Sequence, residues 1–167
     1  GGTFTHNSGT VTLDGGDQTL SGTTTFNNLT KTVTTARTLT FPASATQTIA
    51  GTMTLKGASG ALLSLRSSSS GTQWSINPQG TRSIEYLDVK DSYNTNSTAI
   101  TTATFNITDS GNNTGWTFNT DPTVPSSLGS TSLTNGSWTT DTTPTLSFTL
   151  SDPDNGQQVL YRIQIDD

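Results

Sequence analysis

The sequence predicts an all-β chain, a right-handed parallel β-helix over residues 1–118 with about 29 residues per coil, then a second, shorter β module. Three observations carry this: a threonine-rich composition, a motif that returns at a fixed spacing, and a change of character after a Pro- and Ser-rich stretch.

Composition comes first. Only 28% of residues are hydrophobic and 11% charged, which fits neither an ordinary globular core nor a charge-dense disordered tail. Threonine and serine supply about a third of the chain instead. Threonine is β-branched and sits well on a pleated, half-exposed surface. Strands with thin cores and a hydroxyl-rich exterior follow. The chain has no cysteine, which excludes a disulfide framework and a thiolate metal site. A net charge of −5 and a pI of about 4.5 argue against nucleic acid and anionic membrane surfaces as partners. No apolar run approaches the roughly 18 residues of a membrane span, so no membrane insertion is expected. No secretion signal is visible, as expected if the chain begins at Gly1 after processing or cloning.

The spacing comes next. Gly-Thr-x-(Thr/Ser)-apolar recurs at Gly22-Thr23-Thr24-Thr25-Phe26, Gly51-Thr52-Met53-Thr54-Leu55 and Gly80-Thr81-Arg82-Ser83-Ile84, 29 residues apart each time. Gln18-Thr19-Leu20-Ser21 matches Gln47-Thr48-Ile49-Ala50 upstream of the first two copies. A further copy from Gly9 is out of phase. A period of 20 to 50 residues signals stacked repeats. Apolar residues alternate with Thr or Ser in runs of four or five, bounded by Gly, Ser, Asn and Pro, and no helical period is present. Stacking would place Phe26, Leu29, Leu39, Phe41, Ile49, Met53, Leu55, Leu63, Leu65, Trp74, Ile76, Ile84, Tyr86, Leu87 and Val89 inside. Equivalent glycines Gly22, Gly51 and Gly80 would put Phe26, Leu55 and Ile84 in one interior ladder. Trp116-Thr117-Phe118 reads as the closing strand.

Residues 119–127 read as a linker. Beyond it, Leu146–Leu150 and Val159–Ile165 read as strands around the turn Asp152-Pro153-Asp154-Asn155-Gly156. Residues 128–167 therefore form a partial β-sandwich, too short to be complete.

These residues carry a resemblance. Gln18 to Phe118 resembles the parallel β-helix passages of large secreted bacterial surface proteins, in Ser83-Ile84-Glu85-Tyr86-Leu87-Asp88-Val89-Lys90-Asp91 and in Asp109-Ser110-Gly111-Asn112-Asn113-Thr114-Gly115-Trp116. Asp121 to Asp167 resembles the start of bacterial immunoglobulin-like surface repeats, in Thr142-Thr143-Pro144-Thr145-Leu146-Ser147-Phe148 and Ser151-Asp152-Pro153-Asp154. The resemblance implies placement outside the cell and a structural or adhesive role, and carries over no catalytic residue.

Chemistry is sparse. Glu85, Asp88 and Asp91, with Arg82 and Lys90, are the acidic cluster that a β-helical polysaccharide lyase would need, but alternation along a strand separates Glu85 from Asp88. Asn119-Thr120-Asp121 matches a tripeptide of pectin hydrolases, without the accompanying paired Asp and Gly-His-Gly. His6 is the only histidine, so a His-centred triad or zinc site is not expected. No enzyme is expected and no cofactor. Asp152 and Asp154 are the Ca²⁺ candidates, against a plain hairpin turn, which is the favoured reading. Tyr93, in a polar stretch, is the candidate glycan contact. Asn28, Asn96, Asn106, Asn112 and Asn135 stand in glycosylation sequons. Self-association, head to tail or through the C-terminal strands, is the expected partnership, with surface glycans second.

Overall fold

The computed structural model describes residues 4–102, 106–120, 122–130, 138, 140–143, 145–153 and 159–162. The chain forms two compact units, Gly1–Asn119 and Thr120–Asp167. The described residues contain strands and no helix.

The first unit repeats one itinerary. β1 (Thr10–Thr12), β2 (Gln18–Thr19) and β3 (Thr24–Phe26) open three separate sheets. β4 (Asn28–Thr32), β5 (Arg37–Phe41) and β6 (Thr46–Ile49) add to those sheets in the same order. So do β7 (Met53–Lys56), β8 (Leu63–Ser67) and β9 (Trp74–Pro78), then β10 (Arg82–Glu85), β11 (Leu87–Val89) and β12 (Ser92–Asn94). After β13 (Ile100–Thr101), β14 (Thr108–Asp109) extends the second sheet, and β15 (Trp116–Thr117) pairs with β13. A bridge from Tyr93 to Thr114 carries the third sheet one step further. Every strand pair in this unit is parallel.

Alternation along each strand sorts the side chains. Inward, Leu39, Leu65 and Val89 stack across the second sheet, and all three are fully buried. Phe41 lies flat on Trp74 with ring centroids 3.8 Å apart, and the Trp74 indole N–H donates to the Lys90 carbonyl at 3.0 Å. Outward, hydroxyls form columns: Thr12, Thr30, Thr54 and Ser83 on the first sheet, and Thr46, Ser75 and Tyr93 on the third. Strands about 4.8 Å apart set the spacing within each column. The threonine content thus covers the outside, and a narrow apolar strip suffices within.

Three details of the repeat differ from expectation. The stacking offset is not fixed at about 29: it is 18 from Thr10 to Asn28 and 29 from Lys56 to Glu85. Gly22 is not equivalent to the other two glycines. It turns the chain from the second sheet to the third with a φ of 66°, whereas Gly51 and Gly80 both lead from the third sheet to the first. Gly80 rests on Gly51, where a Cβ would run into the Gly51 carbonyl oxygen. Consequently Ile84 stacks on Leu55, but Leu55 stacks on Lys31, and Phe26 stacks on Ile49. The motif encodes strand, corner, strand, and different corners use it.

The interior also differs at its margins. Ile84 is only half-buried, and Tyr86 leaves the core by adopting a φ of 53° between β10 and β11. Val33, Ile100 and Ile107 join the core.

In the second unit, β16 (Ser126–Ser130) pairs antiparallel with β17 (Leu146–Thr149). The expected linker is therefore shorter, since Ser126 and Ser127 are already in β16 and the Thr123 N–H donates to the Ser151 carbonyl at 2.9 Å. Val159 to Arg162 are not in a strand, and the rest of that predicted strand lies outside the described residues.

Candidate functional site

The three carboxylates of the acidic cluster occupy three different settings. Glu85, on the first sheet, pairs with Lys56 at 2.9 Å. Asp88, on the second, pairs with Arg66 and accepts from the Ser110 hydroxyl at 2.6 Å. Asp91 is buried at the turn into β12 with a φ of 56°. It accepts from the Asn112 amide at 2.7 Å and the Gly71 N–H at 3.0 Å. Each carboxylate faces a protein partner, and the three do not converge on a common space.

The hydrogen bond from Asn112 holds the Asp91 carboxyl below its ordinary value of 3.8, with burial opposing and the Gly71 N–H assisting. Folded Asp91 therefore binds its proton more weakly than unfolded Asp91. Its stabilisation is complete above about pH 4 and is lost as the pH falls from there through the folded value. Asp91→Asn should be less stable than the parent at pH 7 and should lose less on acidification to pH 3. Thermal melts at both values check this, and equal losses would remove the assigned role.

The sequon asparagines are built into the fold. Asn28 donates to the Thr10 hydroxyl at 3.2 Å and accepts from the Thr52 N–H at 2.7 Å. Asn96 donates to Asn77 at 3.2 Å, and Asn112 donates to Asp91. Asn106 accepts from the Tyr86 N–H at 3.4 Å. N-glycosylation leaves one N–H on the amide nitrogen, so Asn112, which donates to both Asp91 and the Gly71 carbonyl, would lose a bond that the corner uses. Asn135 lies outside the described residues, as does Asp154, while Asp152 is half-buried. No group of three or more metal-ligating side chains gathers among the described residues. His6 accepts from the Ser8 N–H at 3.1 Å. Tyr93 is 42% exposed, on the outer face of the third sheet between Ser75 and Thr114.

Two cations align with inward-facing apolar residues of the first sheet, at positions the sequence reading did not assign to the interior. Lys31 is fully buried and aligned with Leu55 on the inner face of the first sheet. Its ammonium donates to the carbonyls of Leu13, Gly15 and Gly16 at 3.4, 3.2 and 3.0 Å, and to Gln18 Oε1 at 2.6 Å. Burial pushes its pKa down, Asp17 and Asp14 oppose this, and Arg37 adds to it. Arg82, aligned with Met53, donates to the carbonyls of Pro78, Thr98 and Ala99. The signal was the alternation itself, which places residues 29, 31 and 33 on one side.

Beside Lys31 the corner between the first two sheets opens into a polar cleft of about 340 Å³. Its walls are the 14–16 loop, residues 32–35 and Arg37.

Scans of known protein families, curated proteins and solved structures found no match to the chain. No helix among the described residues is long and apolar enough to cross a membrane.

Proposed function

We propose that the first unit is a right-handed parallel β-helix acting as a structural or adhesive segment of a bacterial surface protein, outside the cell, and that it carries out no catalysis. The observation behind this is the fixed itinerary through three parallel sheets, each growing by strand addition. Such stacking makes a continuous core from turns too thin to fold alone. Its exterior is neutral and hydroxyl-bearing, and the three clustered carboxylates serve internal bonds.

The second unit, in this reading, opens an immunoglobulin-like sandwich. An isolated strand pair is marginal in water, and this one is accompanied by exposed Val124, Trp138, Leu146, Leu160 and Tyr161. Strands from a second copy, added through this C-terminal region, would cover them, and head-to-tail addition of that kind does not close. Antibodies against residues 4–119 should label intact cells of the source bacterium, and in-frame removal of that segment should reduce attachment or cell–cell aggregation. Labelling only after lysis overturns the placement, and unchanged attachment and aggregation overturn the role.

A further inference from the structure

We propose that the cleft between the 14–16 loop and residues 32–37 binds a sugar ring bearing a carboxylate, as in the hexuronate units of acidic polysaccharides. Charged side chains are few in this protein, and most of those described have internal partners. Lys56 pairs with Glu85 and Arg66 with Asp88, while Lys31 and Arg82 donate to backbone carbonyls. Arg37 and Asp14 differ. Both line the cleft, and among the described residues neither the guanidinium nor the carboxylate makes a hydrogen bond or ion pair. Two opposite charges thus face one polar space without joining each other.

The walls are held in place. The Lys31 ammonium fixes the Gly15 and Gly16 carbonyls from beneath. Asp17 accepts from the Thr38 N–H at 2.9 Å and ties the far end of the loop to β5. A wall ordered before binding lowers the cost of ordering it on binding.

The lining selects the ligand. Arg37 presents a planar fork suited to a carboxylate. Ionised Asp14 only accepts, so it needs O–H or N–H donors from the ligand. Thr32, Thr34 and Thr35 add hydroxyls that donate or accept, and no aromatic ring lines the space. A volume of about 340 Å³ is at the small end of ligand pockets, the scale of one sugar ring with its substituents. A hexuronate has both the anion for Arg37 and the hydroxyl donors for Asp14. Inorganic phosphate offers Asp14 little beyond charge repulsion, and a neutral hexose gives Arg37 no anion.

The test is an NMR or calorimetric titration of the whole chain with short galacturonate oligosaccharides, the matching neutral galactose oligosaccharides, and phosphate. Saturable binding of the galacturonate in about the millimolar range is expected, with at least tenfold weaker binding of the other two. Arg37→Gln and Asp14→Asn, both surface changes checked for an unchanged melt, should each weaken it tenfold or more. Ser75→Ala, on the outer face of the third sheet, should leave it unchanged. No saturable binding, equal binding of the neutral sugar, equal binding of phosphate, or full binding by Arg37→Gln would each overturn the proposal. The outcome is independent of the surface role, because cell labelling does not depend on sugar binding.

Discussion

Leu65→Asp is expected to abolish the cooperative unfolding transition of the first unit near neutral pH. Leu65 is fully buried and stacked between Leu39 and Val89 in the middle of the second sheet. A carboxylate there would have apolar register neighbours on both sides. An uncompensated buried charge costs about 3–5 kcal/mol, a large share of the 5–15 kcal/mol that holds a domain together. Leu55 is the weaker choice for this experiment, because its register neighbour Lys31 would bring an ammonium near the new carboxylate. A parent-like melting temperature for Leu65→Asp would mean that Leu65 does not face the interior, and the inward assignment of the second sheet would fall.

Trp74→Ala comes next in expected effect. It removes the largest fully buried side chain of the first unit, together with the face on which Phe41 lies at 3.8 Å. It also leaves the Lys90 carbonyl without the indole donor. Truncating a buried aromatic to alanine costs about 3–5 kcal/mol. Trp74→Phe, which keeps a ring against Phe41 but loses the N–H, should recover most of the loss. Chemical denaturation of the three proteins separates the two contributions through their midpoints. An unaltered midpoint for Trp74→Ala would contradict the stacked core.

Much of the architecture was legible because side-chain alternation is local. Thr38-Leu39-Thr40-Phe41 and Trp74-Ser75-Ile76 announce their inner and outer faces without reference to any partner, and both segments place those faces as expected. Register was less legible, because it depends on how much chain each corner takes up. Gly22 and Gly51 begin nearly identical strings, yet one string joins the second sheet to the third and the other joins the third to the first. Spacing in sequence counts residues, whereas stacking counts strands.

The candidate cleft was not legible at all. It needs Asp14 and Arg37 to meet across a corner, and nothing local links an acidic residue in one passage to a basic residue in the next. Lys31 was overlooked for a related reason. A lysine between two threonines reads as an exposed residue until the three carbonyls that receive it are known.

The uneven corners have a consequence for how such a chain can vary. Hydrogen bonding fixes the distance between neighbouring strands of a sheet, so a longer connection does not change the stacking and bulges outward instead. Connections within this unit already span offsets from 16 to 29 residues without breaking the hydroxyl columns of the first and third sheets. Insertions and deletions should therefore collect at the corners, leaving the flat faces nearly unchanged among descendants of one ancestor. A library of random insertions would show this as tolerance at exposed corner positions such as 59–60 and 68–70 and intolerance within β5 or β8. The faces supply constancy, and the corners are where a lineage is free to acquire something new.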